Sequence, residues 1–344
     1  MNPSMSKPQD ERLKKISPLK KLLSRPELGS VAGLILVFSF FALTAGNQGF
    51  LTVSGTVNYL EVAAQLGILA VTVSLLMIAG EFDLSIGSMI GAAGMVMAIS
   101  VTQFGLPVWL GIVLAFVFAL LFGWLNGFLV MRTKLPSFIV TLASMFILRG
   151  LTLALTRMVS GSTRVSGLKD AAAGDPLALL FSGSLLGLPV SVWWWVLLTL
   201  ILSWVLLQTR YGNWIFGVGG DANASRNVGV PVARVKISLF MLTAASATLL
   251  AVIQILNTGS ADVLRGELKE LEAVAAAVIG GTLLTGGFGS VIGAAIGALI
   301  LGMVQQGIFF TGIDTDWFKA IMGSMLLGAV LLNNHLRKKA TEVK

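Results

Sequence analysis

Residues 62–100 read VAAQLGILAVTVSLLMIAGEFDLSIGSMIGAAGMVMAIS. Two apolar runs, each close to the roughly 20 residues that cross a bilayer, are parted only by a short stretch carrying Glu81 and Asp83. The pattern predicts membrane helices over 58–80 and 84–101 joined by a tight polar connection. Working outward, runs of the same kind recur at 28–45, 107–130, 138–156, 189–208, 237–256, 271–286, 289–309 and 317–334, which makes ten candidate spans. The segment at 271–286 is the weakest, because Gly280, Gly281, Gly286 and Gly287 interrupt it. The fold class expected is therefore all-α, a polytopic integral membrane protein of about ten helices.

Composition agrees. Of 344 residues 56% are apolar and only 12% charged, about half the charged fraction of roughly 25% in soluble domains. The chain has no Cys and one His, His335, which excludes disulfides, thiolate metal sites and Cys–His catalysis. The net charge of +8 would suggest nucleic acid in a soluble protein; here its distribution matters more. Met1 to Glu27 carries seven Lys/Arg with no small-residue cleavage site after a short apolar core, so an anchored first helix is expected rather than a removed signal. Alternating ten spans from a cytoplasmic N-terminus puts 17 Lys/Arg inside and 6 outside, with Arg149 within a span. That asymmetry supports cytoplasmic termini. The expected layout is a basic tail at 1–27, a membrane domain at 28–334 with a cytoplasmic loop at 209–236, and a basic tail at 335–344. Trp109, Trp193, Trp194, Trp195 and Trp317 fall near predicted outer ends, where indole rings anchor at headgroup level.

GSMIGAA at 87–93 and GSVIGAA at 289–295 agree at six of seven positions. Both fall in spans predicted to run outward, so the repeat is read as parallel. Gly and Ser at this spacing also let helices approach closely.

Charges within a bilayer are costly and mark sites of interest. Asp83 and Ser85 are placed to cap the helix that follows them. Arg149, eleven residues beyond Phe138, lies about 17 Å along its helix and is expected to pair with an acidic residue of a neighbouring span. Lining the solute path is the other reading of Asp83, Ser85 and Arg149, and of Gly281 and Gly289 in the glycine-rich stretch. Asn58, Gln65, Asn126, Gln254, Asn257, Gln305 and Gln306 are amides inside spans. Such groups suit a hydroxyl-rich solute, although helix-to-helix bonding is the commoner role for any one of them.

The loop from Arg210, RYGNWIFGVGGDANASRNVGVPVARVK, contains a short helix with clear limits. Asp221 is placed as N-cap, Gly229 can adopt the left-handed conformation that ends it, and Pro231 blocks continuation. With Ala222 and Val228 apolar and Ala224 and Ser225 small, the helix presents a face suited to a partner's groove.

At these residues the sequence resembles the membrane permeases of bacterial ATP-binding cassette importers of the ribose, xylose and related sugar group. GEFDLSIGSMIG (80–91) is similar to the family's GGIDLSVG element, and LPSFIVTLASMFILRGLTL (135–153) to its stretch ending in Arg-Gly. GVGGDANASRNVGVPVARVK (217–236) resembles its coupling loop, and ELEAVAAAVIGGTLLTGGFGSVIGAAIGALILG (270–302) its glycine-rich C-terminal half. Glu81 with Phe82, Phe288, and Ser225 with Asn227 depart from the commonest family residues. The resemblance implies a type II importer-like permease in the inner membrane that pairs with a second copy or a related permease. A periplasmic sugar-binding protein would deliver the solute, and two cytoplasmic ATPases would bind ATP and Mg, with Asp221, Asn223, Ala224, Ser225, Arg226 and Gly229 as the coupling residues. The chain itself has no GxxxxGK[ST] phosphate loop, so no cofactor is expected in it. Beyond membrane lipid no other partner is implied, and no nucleic acid. An ion-coupled secondary sugar or metabolite transporter is the competing reading. An intramembrane enzyme comes third, because no nucleophile with a paired base can be assembled.

Overall fold

The structure, a computed structural model, describes residues 26–342, with side-chain surroundings given for 27–331. The basic tails expected at either end lie outside the described side chains, Glu27 excepted. Ten helices answer to the ten apolar runs: α1 (Pro26–Ala45), α2 (Val53–Ile78), α3 (Ile86–Thr102), α4 (Val108–Thr133), α5 (Ser137–Ser160), α7 (Val190–Gln208), α10 (Val232–Thr258), α11 (Lys269–Ile279), α12 (Val291–Phe310) and α13 (Trp317–Glu342). Between them lie the short α6 (Leu168–Ala171), α8 (Arg210–Gly220) and α9 (Ala222–Asn227). Among the described residues seven helices are long and apolar enough to cross a membrane, and α3 and the apolar part of α13 are shorter. The eighth apolar run is shorter than expected. Its helix stops after 11 residues, and Gly280 to Gly287 make a turn in which Gly281, Gly286 and Gly287 take positive φ.

Helix directions follow from which residues touch. Gln65 meets Gln254 and Thr72 meets Ser246, so α2 and α10 are antiparallel. Gly302 lies on Ala63 and Gly289 on Ile78, so α12 also opposes α2. Asp83 meets Thr243 and Gly94 meets Ala251 and Ile255, so α3 runs with α10. The two copies of the heptapeptide thus lead helices of the same direction, as a parallel repeat requires.

Burial sorts the helices into a centre and a rim. α2, α10 and α12 are 83%, 78% and 72% buried over their apolar windows, against 33% for α4 and 28% for α5. The central helices read as apolar all round because they are enclosed by protein. The rim helices bear Leu121, Phe146, Leu155 and Leu200 on outward faces, as contact with lipid tails demands. Close approach at the centre needs glycine: a Cβ on Gly302 would lie 2.7 Å from that of Ala63.

At the end away from α8 and α9, β1 (Arg164–Ser166) pairs antiparallel with β4 (Ser260–Asp262), and β2 (Ser184–Leu185) with β3 (Leu188–Pro189). The indoles of Trp193 and Trp194 donate to the carbonyls of Leu185 and Leu180 in this cap. Trp195 departs from the expected anchoring role. It is buried against Gly67, where a Cβ would stand 2.1 Å from the indole nitrogen, so it packs α7 on α2.

Candidate functional site

The loop at 209–236 is more ordered than its sequence suggests. Thr209 accepts from the Gly212 N–H at 3.2 Å and starts α8, whose Ile215 and Val218 turn into the bundle. Tyr211 bonds Ser238 of α10 at 2.6 Å; burial pushes its phenol above the ordinary value, and the bond to Ser238 opposes that. Sequence reading missed α8 because Gly212, Gly217, Gly219 and Gly220 lower its helix propensity. The Thr209 cap and the spacing of Tyr211, Trp214, Ile215 and Val218 were the signals available.

From α8 the chain turns directly into α9. Asp221 caps it, accepting from Asn223 and Ala224 N–H at 2.8 and 2.9 Å. Gly229 follows at φ +88, its Val230 neighbour donating to the Ser225 carbonyl, and Pro231 leads into α10. Val232 to Lys236 therefore belong to α10, which shortens the expected loop. Asn223, Ala224, Asn227 and Val228 are exposed, and Val228 is 81% accessible. Ser225 differs from expectation: it is buried at Gly217 of α8 and fixes the helix rather than adding to its outer face. Arg226, Lys134, Lys236 and Glu81 line a cavity of about 400 Å³ between α9 and the end of α4. Glu81 pairs with Lys236 there, both side chains 12% accessible.

Gly281 and Gly289 share this end with α8. Gly287 N–H donates to the Ile78 carbonyl at 2.8 Å, Gly289 lies on Ile78 and Thr282, and Gly219 lies on Ile78 and Gly287. The glycine-rich turn is thereby wedged between α2 and α8. α8 thus meets the end of α2 and the glycine-rich turn through backbone contacts.

Asp83 and Ser85 lie deeper, in a buried polar chain. Asp83 Oδ1 accepts from Ser85 N–H and Oγ at 2.9 and 2.6 Å, and Oδ2 accepts from Thr243 at 2.7 Å. Asn126 of α4 donates to Ser85 Oγ and accepts from Ser144 of α5. Ser85 makes no side-chain cap; its hydroxyl is spent on Asp83 and Asn126. Four segments meet in this network, which is fully paired and so rigid. Arg149 is 3.6 Å from Glu267, and its expected partner in a neighbouring span is thus a residue of the loop between β4 and α11. Among the described residues no three His, Cys, Asp or Glu gather as a metal site would require.

The sequence that folds into this helical bundle, with α9 capped at one end, has counterparts among known proteins. Residues 55–330 match the family described as branched-chain amino acid transport system / permease component. The chain belongs to that permease family. The permease is 31% identical over 313 residues to the ribose import permease protein of Haemophilus influenzae, covering 91% of this chain and 94% of that one. It is 30% identical to the xylose transport system permease protein of Escherichia coli K12, over 90% and 92% of the two chains. An inner membrane ABC transporter permease of the same organism is 32% identical over 85% and 87%. No solved structure gives a significant match.

Proposed function

We propose that this permease is the membrane-spanning subunit of an ATP-driven importer for a sugar of the ribose and xylose class, set in the inner membrane with both termini cytoplasmic. The observation that carries the reading is that relatives named for ribose import and for xylose transport each align over at least nine-tenths of this chain. A binding protein would deliver the sugar to the end bearing β1 and β4. Two separate ATPases would engage α9 through Asn223, Ala224 and the flanking Asp221, Arg226 and Gly229, while buried Ser225 holds the helix to α8. On ATP binding, motion of α9 would pass through α8 and the Gly281–Gly289 turn to α2 and α12. The permease itself would make and break no covalent bond.

Ala224→Glu tests the coupling. An exposed position normally tolerates such a change within about 0.5 kcal/mol. The expected outcome is therefore normal permease abundance in the membrane, loss of the ATPases from the purified complex, and loss of D-ribose or D-xylose uptake. Retention of both ATPases with normal uptake would remove α9 from the motor contact. Uptake by the wild type that collapses with the ion gradient and ignores ATP would point instead to an ion-coupled carrier.

A further inference from the structure

We propose that the cavity between α2 and α12, at the end opposite α8 and α9, binds the hydroxyl groups of a neutral sugar or polyol in transit. It has a volume of about 370 Å³ and is lined by Asn58, Glu61, Gln305, Gln306, Phe309 and Thr315. That volume falls within the roughly 300–1,000 Å³ common to small-molecule sites.

The placement is unusual for these helices. α2 and α12 are among the most buried in the bundle, yet here they come to the surface, and do so with polar groups. Asn58, Glu61 and Gln65 are spaced three and four apart and share one face of α2; Asn58 is exposed and the other two half-buried. Gln305 and Gln306 are half-buried two turns or less from the end of α12. A carboxylate and three amides facing hydrocarbon would be strongly unfavourable, so this face meets water or solute. Gln65 accepts from Gln254 at 2.9 Å, whereas the side chains of Asn58, Glu61, Gln305 and Gln306 take part in none of the side-chain hydrogen bonds among the described residues.

The chemistry selects the ligand class. Amides both donate and accept, a carboxylate accepts, and Thr315 does either, which matches hydroxyls that also do both. Phe309 offers an apolar ring for the C–H face of a sugar. None of the lining residues is a cation. The carboxylate of an amino acid would find no counter-charge there, whereas hydroxyls can pair with every polar group of the lining. The assignment rests on the importer reading above and adds to it the residues that touch the solute.

The absence of cysteine from the chain permits a clean test in the complete transport complex. Single substitutions Asn58→Cys and Gln306→Cys are exposed to a membrane-impermeant cationic methanethiosulfonate, with Leu200→Cys on the outward face of α7 as the control. We expect the first two to react at least about tenfold faster than the control, as water-filled rather than lipid-facing sites must. In parallel, Gln305→Leu and Gln306→Leu should each lower uptake of D-ribose or D-xylose by about tenfold, the worth of one or two hydrogen bonds, with ATPase co-purification unchanged. Reaction no faster than at Leu200→Cys, or normal uptake by both Leu variants, would overturn the assignment. So would ready disulfide formation between two copies carrying Asn58→Cys, which would make the patch a contact between copies. A wild type that carries no sugar under ATP would overturn the importer reading instead; the labelling rates, which need no sugar, still decide whether the cavity is open to water.

Discussion

GSMIGAA at 87–93 leads into α3 and GSVIGAA at 289–295 into α12, and the two helices run the same way; yet the motifs sit differently on their helices. In α3 the first helical bond runs from Met89 N–H to the Ser85 carbonyl, whereas in α12 it runs from Ala294 N–H to that of Ser290. The motif's third residue opens one ladder and its sixth opens the other, a shift of three residues. The surroundings differ as well. Ahead of α3, Asp83, Ser85, Asn126 and Thr243 form a paired polar network, and Gly87 faces the buried carboxyl of Glu270. Ahead of α12, glycine packs on glycine: Gly293 meets Gly280, and Gly286 and Gly287 meet Gly80, Gly219 and Gly220. One lead-in is held mainly by a network of buried polar side chains and the other mainly by close backbone packing. The same local sequence therefore leads into a polar side-chain network in one place and into close glycine-on-glycine packing in the other.

The largest test of that contrast is Gly293→Val. A Cβ there would stand 2.0 Å from the Gly280 carbonyl oxygen, and one on Gly280 would stand 2.3 Å from Gly293 backbone. Backbone cannot swing aside, so α11 and α12 must separate. The expected cost is more than about 3 kcal/mol, at the upper end of overpacking, seen as a lower unfolding temperature of the purified permease and poor membrane accumulation. A Val variant as stable as the wild type would show that the two helices are not in contact.

Asp83→Ala should cost less. It removes the acceptor for Ser85 N–H, Ser85 Oγ and Thr243 Oγ1, leaving buried donors unpaired at about 1–3 kcal/mol. Asp83→Asn keeps an acceptor oxygen and is expected to recover part of the loss. Equal stability of the Asn and Ala variants would mean that the network does not hold the lead-in to α3.

Much of this architecture was legible in the sequence, and for identifiable reasons. Ten apolar runs, their alternation and the parallel repeat follow from hydropathy and charge, which depend on the membrane rather than on tertiary detail. The limits of α9 were readable because Asp221, Gly229 and Pro231 act locally. What was not readable depends on partners distant in the chain. Trp195 is buried because Gly67 leaves room for it, and Arg149 finds Glu267 only because the loop after β4 lies beside α5. The amides Asn58, Gln305 and Gln306 were visible one by one, but only the antiparallel packing of α2 on α12 gathers them. Glu81, where the resembling family most often has Gly, finds its reason in Lys236, 155 residues away.

The smallest expected effect gives the sharpest comparison, because it uses the same residue type at equivalent motif positions. Ser290 caps α12: its hydroxyl oxygen accepts from Gly293 N–H at 3.2 Å and its proton goes to Glu27 at 2.7 Å. Ser88 stands inside the first turn of α3 and only returns its proton to the Ser85 carbonyl at 2.8 Å, a bond that adds little to a carbonyl already engaged in the helix. Losing a cap costs typically about 1 kcal/mol, and Ser290→Ala also frees Glu27 from the start of α12. Ser88→Ala should shift stability by no more than about 0.5 kcal/mol. Thermal unfolding of the two variants in the same detergent measures the difference directly. If the three-residue shift is correct, Ser290→Ala is the less stable; equal destabilisation would mean that both serines cap their helices and that the repeat enters α3 and α12 in one register.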